Sequence, residues 1–244
     1  MDIRFFAPSY KRPVKSITQI RYPFVKLVVM ESEAAKYRAN GNDITTCPDK
    51  VQGNVCRVRN WIIKQNSDAD CVIIIDDDCS YIGRFTRSIR HKLSAGELLE
   101  FAEHATVMAK DMGVKIWGLN CLPDKQIYKE YLPFSFINYI GSPFTAHCKT
   151  DLFFDEKLSL KEDYDLTLQH LHKYRRVLRF NKYHYEVKQS EQSGGCAAYR
   201  NLAEEKRQFE MLQKKWGSVI IRQDSSSKRS FDYNPILKSP ISGV

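Results

Sequence analysis

Apolar positions along this chain fall into two alternating patterns: short unbroken runs and stripes at helical spacing. Ile3-Arg4-Phe5-Phe6-Ala7 opens the chain as a short strand, and Phe24–Met30 is a second strand that ends at Glu31. Asn54–Gln65 places Val55, Val58 and Ile62 at helical spacing, and Cys71–Ile75 then runs apolar without alternation, as a strand covered on both faces does. Ser94-Ala95-Gly96-Glu97 carries a capping-box signature. After it, Leu98, Phe101, Ala102, Ala105, Met108, Ala109 and Met112 trace one apolar helix face as far as Gly113, and Val114–Leu119 follows as a strand. This order of β and α elements predicts an α/β protein with a largely parallel central sheet flanked by helices.

From 124 to 147 the pattern changes. Tyr128, Tyr131, Phe134, Phe136, Tyr139 and Phe144 are interleaved with polar residues, Pro133, Pro143 and Gly141, which reads as a hairpin or an excursion of antiparallel strands with one buried face. Strands are expected at Val177–Phe180 and Tyr183–Val187, then a loop at Ser193-Gly194-Gly195 and a helix from Leu202 to Trp216 closed by Gly217. One domain over 1–222 and a flexible tail over 223–244 are the expected organisation, because Asp224–Ser230 is polar and charged.

The strand at 71–75 ends in Asp76-Asp77-Asp78. Three carboxylates this close raise one another's pKa unless a cation neutralises them. If the strand continues, Asp76 and Asp78 point the same way and reach one Mg²⁺ or Mn²⁺ ion, with Asp77 facing elsewhere. A solvated acidic turn after a core strand is the plainer reading, and the buried-type run before it favours a site. Glu162-Asp163 precedes Leu166, Leu168 and Leu171 and so sits near a helix N-terminus, where carboxylates are favoured with or without a function. Composition adds a partner: 38 Lys and Arg against 29 Asp and Glu give a formal charge of +9, which favours a polyanion, nucleic acid first. The seven cysteines are scattered without a C-x-x-C pair and read as reduced thiols. With no long apolar stretch and no signal-peptide pattern, the expected location is the cytoplasm, away from membranes.

A Pro-punctuated loop after the first strand, a helix carrying Arg59-Asn60, a strand ending in D-x-D and a later Glu-Asp pair together resemble the GT-A (Rossmann-like) fold of nucleotide-sugar glycosyltransferases. The resemblance spans roughly residues 1–200. It implies that Pro8, Ser9, Tyr10 and Arg12 form the first nucleotide-binding loop and that Glu31 is an acidic base or ribose contact. Arg59, Asn60, Asp76 and Asp77 join the donor-binding set. It further implies Asp76 and Asp78 as the metal motif with His184 as a C-terminal metal ligand, Gly141 in an acceptor loop, and Glu162-Asp163 as the catalytic pair in which Asp163 is the base. Within the fold the chain looks most like the TET-associated glycosyltransferases, a mostly phage-encoded group, on the D-D-D form of the motif and on Ser193-Gly194-Gly195 with Tyr199-Arg200. That likeness implies transfer from a nucleotide-sugar, a UDP-sugar first, to a 5-hydroxymethylpyrimidine in DNA, in the host cytoplasm if the chain is phage-encoded. The competing readings are a GT-A enzyme with a polysaccharide or protein acceptor, a metal-dependent nucleotidyltransferase, and a non-catalytic DNA-binding module.

Overall fold

The computed structural model describes residues 1–87, 89–121, 128–187, 200–224 and 233–238. In chain order the elements are β1 (Ile3–Pro8), α1 (Ile17–Arg21), β2 (Lys26–Met30), α2 (Ala34–Ala39), β3 (Ile44–Cys47), α3 (Val55–Gln65), β4 (Cys71–Ile75), β5 (Cys79–Thr86), β6 (Ile89–Lys92) and α4 (Ala95–Asp111). They continue with β7 (Ile116–Asn120), β8 (Phe134–Ser135), β9 (Phe144–His147), α5 (Glu162–Tyr174), β10 (Leu178–Val187), α6 (Leu202–Trp216), β11 (Ile221–Gln223) and β12 (Pro235–Leu237).

The central sheet runs β3-β2-β1-β4-β9-β7-β10-β5-β6, with β8 pairing β10. β1, β2, β3, β4, β6, β7 and β10 share one direction, and β5, β8 and β9 oppose it, so the sheet is mixed and mostly parallel as expected. The unbroken run of β4 has a direct cause: Cys71, Ile73 and Ile75 enter the core shared with α2 and α4, while Val72 and Ile74 enter the core shared with α3, α5 and α6. Asn54 caps α3 by accepting from the N–H groups of Cys56 and Arg57, and Ser94 and Glu97 form the expected capping box on α4.

Three expectations change. The stretch 124–147 yields no self-paired hairpin among the described residues: β8 joins β10, and β9 inserts antiparallel between β4 and β7. The strands expected at 177–180 and 183–187 are one strand, β10, with an irregular register against β7 between Phe180 and His184. The boundary expected at 222 falls inside a two-stranded ribbon, because Ile221, Arg222 and Gln223 pair with Leu237, Ile236 and Pro235. The Ser193-Gly194-Gly195 loop and Tyr199 lie outside the described residues. The six described cysteines are free thiols, and no described helix is long and apolar enough to cross a membrane.

Candidate active site

The acidic turn at the carboxyl end of β4 is held by groups that carry no obvious signature in the sequence. Thr18 donates its hydroxyl to the carbonyl of Asp76 (2.6 Å) and accepts from the Cys79 N–H (2.9 Å), while the Ser16 hydroxyl donates to the carbonyl of Asp77 (2.8 Å). With its backbone pinned at α1, the chain turns instead of extending, and the three side chains separate.

Asp77 faces the first loop. It accepts from the Ser9 hydroxyl and from Arg12 Nη1 (2.9 Å). Ser9 has a single hydroxyl proton and gives it to Asp77, so the 2.9 Å contact between Ser9 Oγ and Tyr37 is donated by Tyr37, whose oxygen accepts the Arg12 N–H at 3.0 Å. Pro8, Ser9, Tyr10, Arg12 and Asp77 line one pocket with Gln52, Asn54, Val55 and Val58, about 410 Å³ including its open mouth. Its few convergent polar groups suit a small-molecule moiety.

Asp78 is 6% exposed; Arg12 Nη1 stands 3.5 Å from its Oδ2, and among the described residues its Oδ1 has no hydrogen-bond partner. Burial, then repulsion from Asp76 and Asp77, pushes its pKa up to about 7 against the pull of Arg12. Burial also raises Asp77. An orphaned, buried carboxylate oxygen beside two others is a position that a cation would relieve.

Asp76 turns the other way. Arg59, on α3 and 3% exposed, donates Nη2 to Asp76 Oδ1 (2.9 Å) and Nη1 to Glu162 Oε1 (2.7 Å), joining the end of β4 to the start of α5. Glu162 also accepts from the Ser142 hydroxyl (2.9 Å), and burial, followed by repulsion from Asp163, pushes its pKa up to about 7. Asp163 is half-buried, and its carboxylate accepts from the Tyr139 hydroxyl, from the Ser142 N–H (3.3 Å) and from the Tyr164 N–H (2.9 Å). β9 brings this loop to the acidic turn: Ile75 pairs with Phe144, and the Asp76 N–H donates to the Pro143 carbonyl at 3.1 Å. A Cβ on Gly141 would collide with the Tyr185 hydroxyl and lie 2.8 Å from Cys121 Sγ, so the loop passes only with glycine there.

The structure therefore brings Pro8, Ser9, Tyr10, Arg12, Arg59, Asp76, Asp77, Asp78, Glu162 and Asp163 into one region. It leaves three expected residues elsewhere. Asn60 exchanges hydrogen bonds with the backbone of Phe154 (2.8 and 2.9 Å), so it anchors α3 to the segment before α5. Glu31 is exposed beyond β2 and lines none of the pocket beside Asp77. His184 is fully buried between Tyr81 and Phe85, and β10 reaches the level of Cys79 only at Val187, about 10 Å further along the strand. It is not placed to ligate a cation at Asp78. Among the described residues no group of three His, Cys, Asp or Glu side chains converges as a metal cluster. Tyr139, Ser142, Ser16, Thr18, Tyr37 and Gln52 were not anticipated.

A mixed sheet covered by helices on both faces, with an acidic turn and a Glu-Asp pair at one end of its strands, is the architecture of the GT-A class. The family model of the TET-associated glycosyltransferases matches residues 15–195, and the chain belongs to that family. The match takes in the acidic turn and Glu162-Asp163 while beginning after the Pro8–Arg12 loop. Among solved structures, residues 1–349 of Staphylococcus aureus TarS in complex with UDP-GlcNAc align at a TM-score of 0.52 and 15% identity, over 88% of this chain and 66% of that one, just under two thirds of its length. Weaker likenesses are to CMP:2-keto-3-deoxy-manno-octonic acid synthetase complexed with CTP (TM-score 0.47, 10% identity, 88% of this chain and 100% of that one) and to A197 from STIV (0.41, 11%, 77% and 85%). No curated protein sequence matches the chain.

Proposed function

We propose that this glycosyltransferase moves a hexose from a nucleoside-diphosphate sugar, a UDP-sugar first, to the hydroxymethyl oxygen of a 5-hydroxymethylpyrimidine in DNA, with Mg²⁺ or Mn²⁺ held at Asp78. The observation that carries the reading is the separation of the three aspartates. Asp77 faces the Pro8–Arg12 pocket, Asp76 is tied through Arg59 to the Glu162-Asp163 corner, and Asp78, beside Arg12, keeps one oxygen without a partner among the described residues.

The residues present fit a divalent ion of the magnesium type, which takes one or two protein carboxylates and completes its shell with water and phosphate oxygens. When bound, that ion would offset charge on the leaving diphosphate. The first loop would hold the nucleotide, and the Arg12 guanidinium would lie against its phosphates. Asp163 accepts the hydroxyl proton as the acceptor oxygen bonds to the anomeric carbon and the bond from that carbon to the diphosphate oxygen breaks. Tyr139 and the Ser142 N–H orient the carboxylate for that transfer. A charge of +9 and the family's own association with TET support DNA as the acceptor.

The test offers UDP- and GDP-sugars with hydroxymethylated and unmodified duplexes, with and without Mg²⁺ or Mn²⁺, and reads nucleosides by mass spectrometry. Hexose mass is expected on hydroxymethylated DNA alone. Asp163→Asn should lower the rate by about 10²- to 10⁴-fold, and Asp78→Asn should abolish both metal dependence and any rise in melting temperature on adding the ion. Donor turnover that leaves DNA unmodified overturns the acceptor; release of pyrophosphate in place of nucleoside diphosphate overturns the reaction.

A further inference from the structure

Resting on the DNA-acceptor reading, we infer that the β5–β6 hairpin is the surface that grips the acceptor duplex by its phosphates, through Arg87, Arg90 and Lys92. β6 is the edge strand of the sheet and all four of its residues are exposed, as is Arg87, which turns the chain at φ 54°. An exposed edge strand rich in cations guards against unwanted strand pairing in any protein. Here its position relative to the site gives it a further use.

The strand registers fix which way the cations point. Lys92 pairs with Gly83, Gly83 with His184, and His184 with Asn120, so these four share a face of the sheet. Two residues before Asn120 on the same face is Gly118, whose missing side chain makes room for Ile140 of the loop that holds Asp163. Arg90, two residues before Lys92, lies on that face too, and Lys92 Nζ sits 4.3 Å from the ring centroid of Tyr81. The candidate base, Arg90 and Lys92 therefore stand over one face. Arg84 alternates to the other side, where it lines a groove with Glu97 and Glu100.

Distance matches a duplex. β5 leaves the acidic turn at Cys79, so Lys92 opposite Gly83 stands about 13 Å along the strand and the hairpin tip after Thr86 about 23 Å. At about 3.4 Å per base pair, the cations meet phosphates roughly four to seven base pairs to one side of the modified base.

The experiment follows fluorescence anisotropy of a hydroxymethylated duplex against salt for the wild type, for Arg87→Ala/Arg90→Ala/Lys92→Ala, and for the charge-preserving Arg90→Lys/Lys92→Arg, with melting curves for each. The triple alanine variant is expected to stay folded at the assay temperature and to lose about 3 from the slope of log affinity against log salt, one for each phosphate contact. The charge-preserving variant is expected to keep the slope. Wild-type binding that the triple variant retains with the same slope overturns the hairpin assignment and leaves the DNA acceptor standing. A wild type that turns over donor and shows no salt-dependent DNA binding overturns both.

Discussion

Glu162 sits where burial and charge oppose each other, and its environment makes a pH prediction. Arg59 and Ser142 hydrogen-bond it, yet burial and the neighbouring Asp163 push its pKa up to about 7 from an ordinary 4.5. Between pH 4.5 and 7 the folded protein thus holds a proton that the unfolded chain has released. The contribution of this group is full below pH 4.5 and is lost as pH rises through 7. Glu162→Gln should lessen the fall of stability over that span, Asp78 supplying the rest, read by denaturant titrations from pH 4 to 8; parallel curves would mean that Arg59 keeps the carboxylate ionised. Gly141→Ala is expected to cost about 1–3 kcal/mol by overpacking against Tyr185 and Cys121, and to slow transfer by displacing the Tyr139–Ser142 loop. A melting curve and a rate measurement check both effects. At this scale the charged motifs were legible because clustered carboxylates after an apolar run are costly without a purpose. Ser16, Thr18 and Tyr139 were not, since a hydroxyl that donates across more than 20 residues leaves no local pattern. Asn60 and His184 show the reverse: suitable chemistry with a side chain turned into the core.

At the scale of elements, α6 is the clamp that holds the Glu162-Asp163 corner. The fully buried carboxylate of Asp165 accepts from Trp216 Nε1 (2.7 Å) and from Lys215 (2.9 Å), and Lys161 is paired with Glu205 in a buried contact. Gln208 accepts the Leu160 N–H at 2.7 Å. Removing one partner of such a buried network leaves the others uncompensated. Asp165→Ala should cost about 3 kcal/mol, a fall of about 6–12 °C in melting temperature for a domain of this size, and should reduce transfer with it because α5 loses its anchor next to Asp163. Unchanged activity in a destabilised variant would show that the corner is held from the Arg59 side alone. The helix itself was legible from its stripe and from Gly217. Its ion pairs were not, because Asp165 and Lys215 read as surface charges until the fold brings them together. β9 escaped for a similar reason: four residues inside an aromatic-rich stretch become a central strand only because β4 and β7 leave a gap that an antiparallel strand fills.

At the scale of the whole molecule, the last described segment decides where the domain ends. Polar, serine-rich sequence after Arg222 reads as a tail, and the ribbon of β11 with β12 arises from two short strands that no periodicity announces. Their pairing covers the end of α6: the Tyr233 ring stands 6.0 Å from that of Phe209, Leu237 packs on the same core, and Ile221 and Leu212 are fully buried beneath. A chain truncated after Gln223 loses β12 and uncovers this corner. Leaving one or two apolar side chains without cover costs about 2–5 kcal/mol, and the loss should propagate through α6 to Asp165 and the proposed base, Asp163. The truncated protein is therefore expected to melt well below the full chain and to lose transfer activity at temperatures where the full chain still works. If truncation leaves both melting and transfer unchanged, the ribbon contributes nothing and the domain ends at 222. The comparison separates a terminal segment that merely follows the domain from one that completes the core behind the Glu162-Asp163 corner.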